Sequence, residues 1–182
     1  HRLFNKNLAG GGILDVGLYP ISFSRLIAGV ATGEKFLEPK FIDAEARIGE
    51  TGVDEVAHAN LEFKNGIKAK LSTGFRESMK NNAVITGSEG TIELPDPWMP
   101  GRQGGPYHAK IIINKNGNEE VTDVKGPEHL FFFEGELASQ CIVKEKTQPP
   151  HPAMTWEDTL GNLQALDVWR EKVNYKLPQD EI

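Results

Sequence analysis

Residues 53–75 read VDEVAHANLEFKNGIKAKLSTGF, and their pattern is that of a β-hairpin. Ala57, Ala59, Leu61 and Phe63 alternate with His58, Asn60 and Glu62, the period of two that gives a strand one apolar and one polar face. Lys64-Asn65-Gly66 follows, and Asn-Gly accepts the positive φ values that tight hairpin turns demand. Ile67, Ala69, Leu71, Thr73 and Phe75 then run back along the apolar face.

Working outward, residues 41–48 extend the sheet, with Ile42, Ala44, Ala46 and Ile48 expected to face inward and Asp43, Glu45 and Arg47 outward. Downstream, residues 83–86 and 91–94 form short strands joined through Gly87-Ser88-Glu89-Gly90, and 108–114 and 119–124 form a hairpin around Asn116-Gly117. This makes about seven strands, largely antiparallel. Residues 95–106 hold too many prolines and glycines for regular structure, and long irregular stretches are often binding loops. Trp98 in that loop is either an aromatic wall for a substrate or a cap on the sheet edge. After residue 128 the pattern is helical. Leu130, Phe133, Leu137, Cys141 and Ile142 make a stripe for the sheet's buried face, with Phe131 and Phe132 outside it. Gln148-Pro149-Pro150-His151-Pro152 is a rigid break. Thr155 with Asp158 has the spacing of a helix N-cap, and Trp156, Leu160, Leu163, Leu166 and Val173 carry the last helix. The class expected is α/β in the α+β sense: an open, mostly antiparallel sheet with helices packed on one face.

A chain of 182 residues with 38% hydrophobic content builds one domain with a core. The net charge of −6 and pI near 5.4 argue against a nucleic-acid partner or an anionic membrane, which attract clustered Lys and Arg. The longest uninterrupted apolar runs, Ile111-Ile112-Ile113 and Leu130-Phe131-Phe132-Phe133, fall far short of the roughly 20 residues that cross a bilayer. The single cysteine, Cys141, excludes an internal disulfide. It is expected to be a small core residue, consistent with a reducing, cytoplasmic setting. The histidines at 1, 58, 108, 129 and 151 lack the paired spacing of zinc sites, so no metal is expected. No serine sits in a nucleophile elbow.

The chemistry-bearing stretch is residues 10–29, GGGILDVGLYPISFSRLIAG. Three glycines let the backbone turn tightly and approach another surface. On a helical backbone Asp15, Tyr19 and Ser22, spaced by four and three, share one face. The Tyr19 phenol can exchange a proton with a substrate oxygen once a neighbouring charge shifts it from about 10, and Asp15 is placed to orient or polarise it. Spacing alone favours a satisfied interfacial hydroxyl. Pro20 requires either a kink or a helix that begins with Pro20 in its first turn. Arg76, just past a strand, is either a hydrogen-bonding contact for a hydroxylated substrate or a solvated strand end.

That stretch resembles the opening of the C-terminal domain in the glucose–fructose oxidoreductase, inositol dehydrogenase and rhizopine-catabolism family of NAD(P)-dependent dehydrogenases. Its Tyr-Pro pair is similar to the dihydrodiol and xylose dehydrogenase branch. MTWEDTLGNL at 154–163 and LDVWR at 166–170 resemble the closing helix of the same branch. The resemblance implies that residues 1–182 are a single C-terminal domain for substrate and oligomer contacts. An N-terminal Rossmann domain holding NADP or NAD, and a Glu-Lys-Pro lysine that works with Tyr19, would lie outside this chain. It further implies Tyr19 and Asp15 as the catalytic pair, Trp98 against a carbohydrate-like substrate, to which Arg76 is added by its position after a strand, and a homo-oligomer through the polar sheet face bearing Asp43, Glu45, Arg47, His58, Lys68 and Lys70. The reading is therefore an oxidoreductase acting on a sugar, polyol or cyclic diol, inactive as this fragment alone. The alternative is a non-catalytic binding or scaffold module of the same fold.

Overall fold

The hairpin forms where the sequence places it. In the computed structural model, which describes residues 1–101 and 105–181, β1 (Lys40–Ile48), β2 (Asp54–Glu62) and β3 (Lys68–Gly74) make an antiparallel sheet in that order. Asn65 and Gly66 take φ values of 76° and 78°, and Phe63 N donates to Ile67 O at 2.7 Å. Ala57 lies opposite Thr73, Ala59 opposite Leu71 and Leu61 opposite Ala69. Ala57, Ala59, Leu61, Phe63, Leu71 and Thr73 are all buried.

Strand β1 departs from its expected alternation. The register slips between Phe41 and Asp43, so that Phe41 pairs with Leu61 and Ala44 with Ala59. Such a slip leaves one extra residue on the bulged strand and exchanges the faces on either side of it. Phe41 is therefore the core residue, whereas Ile42 and, beyond a second slip at Arg47/Ile48, Ile48 are exposed.

Two long helices, α2 (Leu18–Val30) and α4 (Trp156–Lys172), respectively precede and follow this sheet in the chain, with the short α1 (Gly12–Val16) before them. Ile13, Ile21, Ala28, Leu37, Phe41, Leu61, Ala165, Leu166 and Trp169 form one apolar cluster between helices and sheet. Inside it stands a cation. Arg25 is fully buried, and its guanidinium pairs with the carboxylates of Glu38 and Asp158 and donates to Asn162 Oδ1 at 2.6 Å. Thr155 caps α4 by accepting from Asp158 N at 3.2 Å, as its spacing suggests.

This cation explains why α4 is rotated from the expected orientation. Trp156 and Leu160 are each 60% exposed and Leu163 is 51% exposed, while Asp158, Gly161, Asn162, Ala165, Leu166, Trp169 and Arg170 face inward. A buried guanidinium without partners would be far more costly than a few exposed apolar side chains, so the helix turns its polar residues to Arg25. Gly161 allows the approach, because a Cβ there would collide with the guanidinium. Residues Lys6–Val30 are long and apolar enough, by length and composition, to cross a membrane, which the uninterrupted runs did not suggest. In this fold they bring Ile13, Ile21, Arg25 and Ala28 into the core.

The chain divides into two compact units, His1–Met79 with Pro150–Ile182, and Lys80–Pro149. The second unit carries β4 (Ala83–Gly87), β5 (Gly90–Leu94), β6 (His108–Lys115) and β7 (Asn118–Lys125), an antiparallel sheet in sequence order. The fold is thus the expected antiparallel α+β class, and the seven strands among the described residues are divided between two sheets. Residues 102–104 of the Pro/Gly-rich loop lie outside the described residues. Helix α3 (Leu130–Val143) is capped by His129, whose ring accepts from Phe131 N. Its expected apolar stripe is not buried as a stripe. Cys141 is buried, but Phe133 is 40% and Ile142 76% exposed. Phe133 instead stacks edge-on against Tyr107 at 6.1 Å.

Two measurements test this packing. Phe41→Ala is expected to cost about 3–5 kcal/mol and Ile42→Ser about 0.5 kcal/mol or less in urea unfolding, the reverse of what alternation from residue 42 demands. Arg25→Ala is expected to cost about 3–5 kcal/mol, because it leaves Asp158 buried without its cation; a loss near zero would show that the cluster is not needed.

Candidate active site

The triple glycine is where the first unit's segments converge. Gly11 adopts φ 102°, and the surface it approaches is Asp54, since a Cβ on Gly11 would overlap the Asp54 carboxylate. Asp54 opens β2 and is fully buried. Its Oδ2 accepts from Ile13 N at 2.7 Å, and the Gly12 backbone favours the charged carboxylate. Several backbone groups around the turn have partners from distant parts of the chain. Gly11 N donates to Leu3 O at 2.9 Å, Tyr175 Oη donates to Gly10 O at 2.8 Å, and Thr73 Oγ1 donates to Gly12 O at 3.2 Å.

Burial raises the Asp54 pKa from its ordinary 3.8 to about 6, outweighing the amide hydrogen bonds and the attraction of Arg170. Its Oδ1 has no hydrogen-bond partner. Burial, and after it the Asp54 charge, push Tyr175 up to about 12.

From this turn the chain leads to Tyr19. Gly17 N donates to Gly12 O, five residues back, at 3.0 Å, a wide turn of the kind found as single π-type turns at functional sites. Glycine is required there, as a Cβ at 17 would strike Ile13 O. Helix α2 then begins at Leu18 with Pro20 in its first turn, one of the two outcomes the sequence allowed. Tyr19 is 50% exposed beside this irregular backbone. The wide turn breaks the regular spacing between Asp15 and Tyr19, and Asp15 is ion-paired with Arg2.

Arg76 follows β3, donates to Glu55 Oε1 at 3.3 Å and lies over the Phe4 ring at 5.0 Å. Phe4 in turn meets Phe75 edge-on at 5.0 Å. Tyr19, Asp15 and Arg76 belong to the first unit and Trp98 to the second. Sequence reasoning did not single out Asp54, Tyr175 or Arg25. Alternation assigns Asp54 to the solvent side with His58, yet at that end of β2 both faces are covered and Val53, Asp54, Val56 and Ala57 are all buried. No signal in the local sequence marks it, because the glycine turn that Asp54 meets lies 41 residues away in the chain.

Because Asp54 is protonated more readily when folded than when unfolded, its stabilising contribution is fully present below about pH 4 and is lost as pH rises through about 6. The difference amounts to about 3 kcal/mol. Asp54→Asn is expected to remove that slope, as read from urea unfolding at pH 4 to 7; equal slopes in the two proteins would contradict the assignment.

The sequence profile described as the GFO/IDH/MocA C-terminal domain matches residues 1–93, which hold the glycine turn, Tyr19 and the three-stranded sheet. Among curated relatives, trans-1,2-dihydrobenzene-1,2-diol dehydrogenase of Mus musculus is 25% identical over 186 residues, covering 99% of this chain and 51% of that protein. The enzyme of the same name from Danio rerio is 37% identical over 163 residues, covering 82% and 44%. The chain spans about half the length of the curated relatives it matches. A crystal structure of a 3-ketoreductase from Actinomadura kijaniata, in complex with NADP and TDP-benzene, shares the fold with a TM-score of 0.75. It is 23% identical, with 95% of this chain and 49% of that one covered. The resemblance carried by the 10–29 motif is thus matched independently over half of the sequence, and the chain belongs to the GFO/IDH/MocA C-terminal domain family.

Proposed function

We propose that this chain is the substrate-facing part of an NAD(P)-dependent oxidoreductase that interconverts a hydroxyl-bearing carbon and a carbonyl in a sugar, polyol or cyclic diol. The observation that carries the reading is Tyr19. Within the family-matched region, a half-exposed phenol stands at the first turn of α2, beside a wide helical turn held in place by buried partners.

A glycine-rich turn at a helix start invites comparison with a dinucleotide cradle. The amides here do not fit one, because Gly11 N is taken by Leu3 O and Ile13 N by Asp54. On this reading the nicotinamide, which supplies the hydride chemistry, is held by residues outside this chain. What this chain supplies is proton handling and substrate contact. In the reducing direction the Tyr19 phenol gives its proton to the carbonyl oxygen as hydride reaches the carbon, and in the reverse direction the phenolate so formed takes the proton back from the hydroxyl. Asp15, with its ion pair to Arg2, sets the local polarity. The Arg76 guanidinium offers donors to substrate hydroxyls. Relatives named as dihydrodiol dehydrogenases favour a cyclic diol among the substrates. The outer face of β1–β3, with Asp43, Glu45, Arg47, His58, Lys68 and Lys70 all exposed, is the surface we assign to homo-oligomer contact.

Tyr19→Phe in the full-length protein tests the central step. It is expected to lower kcat about 100-fold or more while leaving nicotinamide binding intact, since the substitution removes the exchangeable proton alone. NAD(P)H absorbance with a trans-dihydrodiol measures it, and undiminished turnover would remove Tyr19 from the mechanism.

A further inference from the structure

Asp54 is a fully buried carboxylate with one oxygen unpartnered, and nothing in the proposed reaction uses it. Its bonds run through a single peptide plane. Ile13 N, on one side of the Gly12–Ile13 peptide, donates to Asp54 Oδ2 at 2.7 Å. Gly12 O, on the other side of the same plane, accepts from Gly17 N at 3.0 Å and from Thr73 Oγ1 at 3.2 Å. Gly17 O then accepts from Ile21 N at 3.3 Å in the first turn of α2. Because the peptide unit is rigid, its orientation cannot change at the nitrogen without changing at the oxygen.

We propose that Asp54 is a positioning residue for Tyr19: by fixing the Gly12–Ile13 peptide it fixes the wide turn at Gly17 and the place where the Tyr19 phenol stands. The proposal rests on the reading of Tyr19 as the proton-exchanging group. Two features give Asp54 this control. Gly11 has no Cβ, so the carboxylate seats directly against the backbone rather than through a side chain. Ile13 is itself fully buried, so the start of α1 has no room to drift once the carboxylate holds it.

The hold depends on charge. An ionised carboxylate accepts N–H bonds more strongly than a neutral one, so protonating Asp54 loosens the Gly12–Ile13 peptide. The groups that face it are Arg170 from α4, itself paired with Asp167 and Asp180, Tyr175 from the segment after α4, and the amides of Gly12 and Ile13. Burial brings the Asp54 transition to about pH 6, so the loosening falls between about pH 5 and 7.

Nuclear magnetic resonance with labelled tyrosine and backbone nitrogen reads this without substrate or cofactor. The chain has three tyrosines. Tyr19 is the reporter, Tyr175 bonds to the same turn, and Tyr107, in the second unit, is the internal control. In the wild-type chain the Tyr19 ring signal and the Ile13 amide are expected to shift together across pH 5 to 7, with Tyr107 still. In Asp54→Asn both shifts are expected to vanish. A Tyr19 signal that stays flat while the Ile13 amide titrates overturns the proposal, and this result needs no variant. A Tyr19 shift that persists in Asp54→Asn overturns it as well. In the full-length protein, Asp54→Asn is expected to abolish the limb of the kcat profile near pH 6 with KM unchanged, and an unaltered profile counts against positioning. Coupled resonance shifts in a protein without dehydrogenase activity would support the Asp54–Tyr19 linkage and reject the oxidoreductase reading, so the two ideas fail separately.

Discussion

The first unit is arranged around a guanidinium with no access to water. Arg25 is fully buried, and a cation in that position is tolerated only with its charge and its N–H groups matched. The partners come from two places in the chain: Glu38 from the segment before β1, and the Asp158 and Asn162 side chains from α4. One interaction therefore decides the rotation of α4, the small residue at 161 and the closeness of α2 to α4. The exposed Trp156, Leu160 and Leu163 are its consequence. An apolar helix face has been given to solvent so that a polar one can satisfy a buried charge.

The glycine turn obeys the same rule with the opposite sign. Asp54 is a buried carboxylate whose Oδ2 accepts from the Ile13 amide while its Oδ1 has no hydrogen-bond partner. Arginine and aspartate thus each hold one end of the segment that contains Tyr19. Asp54 anchors the entry to α1 and Arg25 anchors the middle of α2, while the apolar cluster of Ile13, Ile21 and Trp169 fills the space between. A phenol displayed from such a doubly fixed segment has a defined position before any ligand arrives, which is the arrangement that proton transfer requires.

Much of this was open to reading in the residues themselves. Alternation and Asn-Gly turns placed β2, β3 and their hairpin. Thr155 announced the start of α4, and Pro20 restricted the start of α2 to two geometries. The motif from Gly10 to Gly29 identified the family. The reading went astray where a single residue alters phase: the bulge at Ile42 that turns Phe41 inward, and the polar pull on α4 that overrides its apolar periodicity. On the site, Tyr19, Asp15 and Arg76 were proposed from residue type and spacing, whereas Asp54, Tyr175 and Arg25 drew no notice, because each acts across a long separation in the chain.

The sequence by itself determined the local structure and the family, since period, turn chemistry and capping depend on neighbours within a few residues. The tertiary structure alone decided which charged groups are buried and what they hold. Asp54 and Ile13 are 41 residues apart and Arg25 and Asp158 are 133 apart. No local pattern marks such pairs, because the free energy that selects them, the cost of leaving a buried charge unmatched, exists only once the chain has closed around it.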